Sequence, residues 1–232
     1  MADLHWTMPI ARWTSISTAG VPGVEALDPM VRRRLSRLSR LALQAACDCA
    51  DVTGALRVVF ASRHGELART TTILDAIQAG EPVSPTAFSL SVLNAVTGIF
   101  GIARRDRSPA TAVAAGHETL GYALLEAFCQ YETSSVSPVL LVHAHEPADT
   151  VYGDVGDDPQ SGGIAILVDA TAPAGYLTCD VAIDSANDSP AAGSVEADTQ
   201  SAAVRHCLAE RVATTWRGGD AYWRWSWHDR AA

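Results

Sequence analysis

The sequence predicts an α/β fold in which helices cover a β-sheet on both faces. Short apolar runs of strand length alternate with segments of helical periodicity over residues 28–183. Hydrophobic residues make up 48% of the 232 residues and charged residues 19%, so the chain can bury a large core. The same composition excludes a disordered protein.

The charge balance narrows the classes of function. The formal net charge is −9, from 26 acidic and 17 basic residues, which argues against a nucleic-acid-binding protein. All basic residues are arginine, so mechanisms that need a lysine are excluded. Five scattered cysteines predict neither disulfides nor zinc. We find no signal peptide and no run long enough to span a bilayer, so we expect no membrane insertion and a cytoplasmic protein.

The first half of the chain predicts an irregular segment, a long helix, a strand and a second helix. Residues 1–24 show no clear period. A helix begins at Asp28-Pro29, a favourable cap followed by proline at the first helical position. Residues 57–62 are a short apolar run and predict a buried strand. Residues 65–79 predict a helix that ends at glycine.

The middle of the chain continues the alternation. Residues 88–102 predict the end of a strand followed by a helix, and residues 111–115 predict a strand that leads into a strong helix from Gly116. A polar loop covers residues 153–163. Three further strands are predicted at 139–145, 164–168 and 177–183.

The composition changes near residue 185, which predicts a boundary. We assign residues 1–185 to the main domain and 186–232 to a variable tail. The tail predicts a linker over 186–201, a helix over 202–215 and a tryptophan-rich strand over 222–227 that packs on the domain.

The junction between the strand at 111–115 and the following helix has the geometry of a nucleophile site. A side chain there would sit at a helix N-terminus, where an anion is stabilised. No cysteine or serine lies between Ala110 and Glu118. Thr111 and Thr119 are the nearby hydroxyls, and neither sits at the tip of the turn. Thr119 is the one that we consider as a replacement nucleophile. His117 and Glu118 are adjacent on a helix and do not face each other, so a structural role is favoured over an acid/base pair.

Two other clusters are weak candidates for binding. His143 and His145 lie on one face of a strand, but no third metal ligand is evident, so we predict no metal site. The aspartates at 154–158 lack the spacing of a calcium loop. Five arginines within 32–40 could bind phosphate or an acidic partner, although a solvated helix face with acidic neighbours is favoured.

Several stretches together resemble the N-terminal half of β-ketoacyl synthases, the condensing enzymes of the thiolase fold. The similarity covers residues 10–183 and is carried by 88–98, 111–125, 154–169 and 175–183. The runs 32–40, 60–66 and 89–98 resemble a subgroup of short ketoacyl-synthase-like N-terminal domains encoded with aryl-polyene pathways. That subgroup resembles chain-length factors, which pair with a full ketosynthase in type II polyketide and fatty acid synthesis.

The resemblance implies a noncatalytic protein with a truncated, layered α/β/α fold. The cysteine position of the family falls on Val113, or on Ala114 after a slip of one residue. The resemblance also implies that the chain ends before the half that supplies the catalytic histidines. We therefore expect no catalysis and no cofactor, and an active full-length ketosynthase as the heterodimer partner. An acyl carrier protein is a further candidate partner, and a homodimer is open when the ketosynthase is absent.

The resemblance places the dimer interface on the strand before the nucleophile position. We expect this surface to border the tunnel for the growing chain, with bulky side chains limiting its length. The expected interface and tunnel residues are Phe88, Asn94, Phe100, Pro109, Thr111, Ala112, Val113 and Ala114. Two alternatives stay open: an acyltransferase or hydrolase with a nucleophile other than the elbow cysteine, and a binding protein for acyl chains or acyl carrier protein.

Overall fold

A mixed β-sheet forms the frame of the protein. The computed structural model describes residues 4–17, 22–50, 54–134, 137–156, 158, 160–183, 193–218 and 221–229. The strands of this described part are β1 (Leu4–Ser17), β2 (Arg57–Ala61), β3 (Ala110–Val113), β4 (Val139–His145), β5 (Gly162–Val168), β6 (Gly175–Ile183), β7 (Val195–Glu196), β8 (Thr214–Gly218) and β9 (Ala221–His228). They form one sheet in the order β3-β2-β4-β5-β1-β6-β9-β8-β7.

Helices cover both faces of this sheet, which confirms the predicted layers. The helices are α1 (Pro29–Arg32), α2 (Arg37–Cys49), α3 (Leu67–Gln78), α4 (Pro85–Ser89), α5 (Ala95–Arg104), α6 (Thr119–Thr133) and α7 (Gln200–Glu210). Helices α2 and α5 pack on one apolar cluster, and α6 and α7 pack on the other. None of the helices in the described residues is both long and apolar enough to cross a bilayer.

The prediction of an irregular N-terminus is wrong. Strand β1 runs through the middle of the sheet, antiparallel to both β5 and β6. Trp6, Met8 and Ile10 are buried at every second position, so a period-two signal is present. The register shifts between Ile10 and Arg12, where a bulge changes which face each residue occupies. That shift interrupts the alternation of buried and exposed residues, so the period-two pattern does not extend over the whole strand.

The predicted long helix from Asp28 is two helices. The Asp28 carboxylate accepts a hydrogen bond from the Met30 amide at 2.7 Å and caps the four-residue α1. Helix α2 begins after Ser36, whose hydroxyl oxygen accepts from the Ser39 amide at 2.9 Å. A new helix starts after Ser36 because its side chain caps a free backbone amide, an interaction found at helix starts and not in helix interiors.

The strand end predicted near Phe88 is also wrong. Ser84 caps the short helix α4, and Pro85 occupies its first turn. The following helix prediction is confirmed by α5.

The tail continues the sheet. The helix predicted over 202–215 ends earlier, at Glu210, because Arg211 adopts a left-handed conformation at its C-terminus. Residues 214–218 then form β8. The tryptophan strand is confirmed: β9 pairs with β6 over eight residues, and Trp223 and Trp225 are fully buried on one face. The linker predicted over 186–201 lies in part outside the described residues.

Candidate functional site

The junction between β3 and α6 is a tight elbow without a nucleophile at its tip. Gly116 adopts φ +59°, a conformation that glycine enters without strain. The Thr119 hydroxyl accepts from the Ala115 amide at 2.9 Å and donates to the Gly116 carbonyl at 2.7 Å. Val113 is half-buried against the α6 side of the core, and Ala114 is exposed. The elbow therefore presents hydrocarbon where a nucleophile would stand, and Thr119 is engaged in holding the turn.

The cysteines lie away from the elbow, and most are unreactive by environment. Burial raises the pKa of Cys49 and of Cys207 to about 12, and burial raises the pKa of Cys179 well above its ordinary value. These thiols stay protonated at neutral pH, whereas a nucleophilic cysteine needs the thiolate. Cys47 is half-buried with a raised pKa, and Cys129 is exposed on α6.

His117 and Glu118 have separate partners, as the sequence analysis favoured. The Arg63 guanidinium contacts both ring nitrogens of His117, at 3.0 and 3.1 Å. Arg63 also donates to the Val155 carbonyl at 2.6 Å. The Glu118 carboxylate accepts from the Trp223 indole at 3.0 Å. The two side chains therefore hold the elbow to other segments and do not form an acid/base pair.

The histidine pair of β4 is buried beside the elbow. His143 and His145 are each 7% exposed. The pKa of His143 is lowered to about 3, chiefly by burial and to a smaller extent by the neighbouring His145, while Asp158 opposes the shift. His145 donates from Nε2 to the Asp158 carbonyl at 2.9 Å. Within the described residues, no group of three or more metal-ligating side chains is positioned to hold an ion.

The burial of neutral His143 predicts acid sensitivity. In the unfolded chain this histidine takes up a proton near pH 6.5, whereas in the folded protein it does so near pH 3. Between these values the unfolded state binds one more proton. The free energy of unfolding therefore falls by about 1.4 kcal/mol per pH unit of acidification through this group. Above pH 6.5 its contribution is fully present.

Urea unfolding between about pH 7 and about pH 5 measures this slope. His143→Gln is expected to make stability less pH-dependent by the equivalent of one proton. Equal slopes for the two proteins would show that His143 is not held neutral.

A cavity of about 220 Å³ adjoins the elbow. Its walls come from six separate segments of the chain. The charged and polar side chains that line it include Arg63, His117, His143, His145, Asp158, Asp198, Thr199, Gln200 and Ser201. The sequence points to the histidine pair and to the aspartate-rich loop separately. It gives no signal for Arg63, Thr199 or Gln200 as members of one site, because no local pattern connects residues so far apart in the chain.

The aspartate-rich loop uses its carboxylates for local turns, and Asp158 also accepts from the hydroxyls of Thr199 and Ser201, at 3.3 and 3.2 Å. Asp154 accepts from the Gly156 amide, and Asp158 accepts from the Gln160 amide, each at 2.9 Å. These contacts are turns closed by side chains.

The predicted interface residues fall into an exposed group, a half-buried group on β3 and one buried ring. Phe88 is 61% exposed, and Asn94, Pro109 and Ala114 are exposed as well. The residues from Thr111 to Val113 are half-buried along β3, where Thr111 accepts a hydrogen bond from Gln130 on α6. Phe100 is 3% exposed and belongs to the core beneath α5. Phe100 therefore lies inside the protein rather than on the surface with the others.

Residues 6–226 match the family described as Beta-ketoacyl synthase, N-terminal domain. Among functionally curated proteins, no significant match is found.

Solved structures share the fold over nearly the whole chain. A chain from the complex of the ketosynthase ApeO with its chain length factor ApeC from Xenorhabdus doucetiae has a TM-score of 0.76 and 23% identity, covering 95% of this chain and 99% of that chain. The ishigamide ketosynthase/chain length factor has a TM-score of 0.70 and 16% identity, covering 97% of this chain and 100% of that chain. A β-ketoacyl synthase from Burkholderia phymatum STM815 has a TM-score of 0.58 and 9% identity, covering 93% of this chain and 86% of that chain. These similarities confirm the expected ketosynthase-like fold.

Proposed function

The chain belongs to the family of β-ketoacyl synthase N-terminal domains, and from that premise we propose that it is a noncatalytic, chain-length-factor-like partner of an active β-ketoacyl synthase. The pair elongates a polyene or polyketide chain. The observation that carries this proposal is the elbow, where the family's cysteine position falls on Val113 or Ala114.

The chemistry of condensation supports a noncatalytic role. The reaction needs a thiolate to hold the acyl chain, together with groups that support decarboxylation of the extender. Val113 and Ala114 offer neither a thiol nor a hydroxyl. The hydroxyl of Thr119, the alternative nucleophile, is engaged in two hydrogen bonds with the backbone of the turn. The buried thiols Cys49, Cys179 and Cys207 have raised pKa values. None of these groups is an activated nucleophile, so they do not support the alternative of an acyltransferase or hydrolase.

The free edge of β3 supports a dimer interface. On one side β3 pairs in parallel with β2, through the Val58 amide to the Pro109 carbonyl and the Ser62 amide to the Val113 carbonyl. Alternate residues of a parallel strand bond to opposite neighbours. The backbone groups of Ala110 and Ala112 therefore point to the open edge, where β3 ends the sheet of the described residues. A partner strand can satisfy them by extending the sheet.

Exposed apolar side chains lie on α5, which packs against β3, and on α3 and α4. Ile102 of α5 is 80% exposed. Phe88 of α4 is 61% exposed, and Leu74 and Ile77 of α3 are 55% and 58% exposed. Large exposed apolar side chains are typical of protein interfaces. We place Phe88 at the tunnel border as the side chain that limits chain length, while Phe100 acts by supporting α5 from below.

The relatives support the choice of partner. Two of the structures with this fold are described as a ketosynthase with its chain length factor. The alternative of a protein that binds acyl carrier protein through its arginines receives less support. Arg32 pairs with Glu25 at 2.5 Å and Arg37 lies 3.7 Å from Glu146, so part of the cluster is neutralised within the chain.

Co-expression with a full-length β-ketoacyl synthase from the same organism tests this function. The two chains are expected to co-purify, and acyl labelling is expected to modify only the ketosynthase. The product chain lengths are expected to change when this chain is omitted. Acylation of this chain, or turnover of a malonyl thioester by the purified chain alone, would show that it is itself an enzyme.

A further inference from the structure

The cavity beside the elbow contains a buried histidine that has no hydrogen bond to the described residues. Alternate residues of a strand share a face, so β4 points His143 to the side where Leu141 packs with α6 and α7. His143 lines the cavity and is only 7% exposed. His145 and Asp158 act on its ring through charge, and no hydrogen bond to the ring is found in the described part of the chain. Buried polar groups in proteins are almost always paired, so the two ring nitrogens suit partners that a ligand supplies.

The chemistry of a neutral imidazole defines the ligand group that it binds. Burial keeps His143 neutral at neutral pH, so one ring nitrogen donates an N–H and the other accepts. A carbonyl or carboxylate oxygen only accepts, and an ammonium group only donates. A hydroxyl group does both through one oxygen, so it can pair with either ring nitrogen, whichever of the two carries the proton. A ligand hydroxyl therefore matches His143 better than these other groups.

The Asp158 carboxylate offers an acceptor for a second hydroxyl. Asp158 lines the same cavity, and its charge acts on the His143 ring. A carboxylate has about four lone-pair sites. The Gln160 amide and the hydroxyls of Thr199 and Ser201 donate to this one. One site is left, and a hydroxyl next to the one at His143 can donate to it.

The charges around the cavity balance one another, which favours a neutral ligand. The first turns of α6 and α7 contribute to the wall through Thr119 and Gln200. Helix N-termini carry a partial positive charge of about half a unit each. Arg63 adds a positive charge, while Asp158 and Asp198 add two negative charges. The wall therefore selects neither an anion nor a cation.

The volume and the apolar part of the wall set the size of the ligand. The cavity measures about 220 Å³, many times the space that one water needs. It is smaller than the usual site for a drug-sized molecule. Leu120 and Trp216 line it as well and can contact a carbon skeleton.

We propose that this cavity binds a small neutral polyol, of which one hydroxyl pairs with His143 and an adjacent hydroxyl donates to Asp158. The site is built within this chain, so it does not depend on a ketosynthase partner.

Probes of equal size test the chemical class of the ligand. Ethane-1,2-diol carries two adjacent hydroxyls, 1-propanol carries one, acetate is an anion and propylammonium is a cation. Each is titrated into the isotopically labelled full chain at neutral pH. NMR follows the ring nitrogens of His143 and the backbone amides of residues 116–121 and 199–201. Because so few non-hydrogen atoms limit affinity, we expect a Kd for ethane-1,2-diol on the order of 10 mM. The other probes are expected to bind at least about 10-fold more weakly.

His143→Phe is the variant that tests the contact. It removes both ring nitrogens and keeps an aromatic ring of similar size, so binding of ethane-1,2-diol is expected to fall at least about 10-fold. The control, His206→Phe, makes the same change at an exposed position on α7 and is expected to bind as the unmodified chain does. If His143→Phe fails to fold, the His143 ring shifts and the order of the probes in the unmodified chain decide the question.

Four results would overturn the proposal. The first is no saturable shift with ethane-1,2-diol up to about 1 M, a hundredfold above the expected Kd, which would mean that the cavity holds only water. The second is binding of 1-propanol, acetate or propylammonium as tight as that of the diol. The third is a saturable shift that leaves the His143 ring nitrogens unchanged, and the fourth is unchanged binding by a folded His143→Phe protein. Either of these last two would place the diol elsewhere.

Discussion

Replacing Ala112 by proline is expected to abolish the complex with the partner ketosynthase while leaving the isolated chain folded. The Ala112 amide points to the open edge of β3, so its loss spares the bonds between β3 and β2. Proline is tolerated on an edge strand whose N–H faces outward. In the complex it removes a backbone donor and leaves the partner's carbonyl unpaired, which costs about 1–3 kcal/mol. The proline ring also blocks the close approach of a second strand.

Size-exclusion chromatography and co-purification of the two co-expressed chains measure this effect. Ala112→Ser is the control, because it keeps the N–H and adds only a hydroxyl; its complex is expected to survive. Circular dichroism of the isolated Ala112→Pro chain checks that it is folded. A folded Ala112→Pro chain that still forms the complex would show that β3 is not the interface. A homodimer of the isolated chain, if it uses this edge, is expected to respond in the same way.

Replacing Trp223 by alanine is expected to give the largest loss of stability among single changes in the tail. Trp223 is fully buried, stacks on Trp225 at 5.9 Å and meets the edges of Trp6 and Tyr122. Truncating a buried tryptophan to alanine costs about 3–5 kcal/mol. Its indole also donates to Glu118 at the elbow, so the variant loses a hydrogen bond as well.

Thermal unfolding measures this loss. For a chain of this size, 1 kcal/mol shifts Tm by about 2–4 °C, so a decrease of about 10 °C is expected. Trp227→Ala is the matched control on the same strand. Trp227 is half-buried and packs against Arg211, so its loss is expected to lower Tm by less than half as much. Equal effects of the two changes would show that the tail is not anchored through Trp223.

Close packing explains why this anchor is specific. A Cβ atom added to Gly121 would lie 2.5 Å from the Trp223 ring and 2.8 Å from Gln200 Nε2. Glycine inside a helix is ordinarily unfavourable compared with alanine. Here it lets α6 approach both the tryptophan strand and the start of α7. The absent side chain at Gly121 therefore supports the sheet extension and one wall of the cavity together.

Local pattern identifies two strands of different kinds. Strand β4 is predicted with its observed bounds, 139–145, because a largely apolar segment lies between Pro138 and Pro147. The tryptophan strand was predicted from its alternation. Strand β1 was missed, because a bulge between Ile10 and Arg12 shifts the face of each residue. Caps at Ser36 and Ser84 start helices that the apolar pattern joined or overlooked.

The amino-acid order alone determined that the elbow lacks a sulfur or hydroxyl at its tip, because that property belongs to a short continuous segment around Val113. Tertiary structure alone decided that β1 lies between β5 and β6, and that Arg63, His145, Asp158 and Gln200 enclose one cavity. The physical reason is the range of the interactions. Periodicity and capping act over a few neighbouring residues, whereas strand order and cavity walls depend on contacts between residues far apart in the chain.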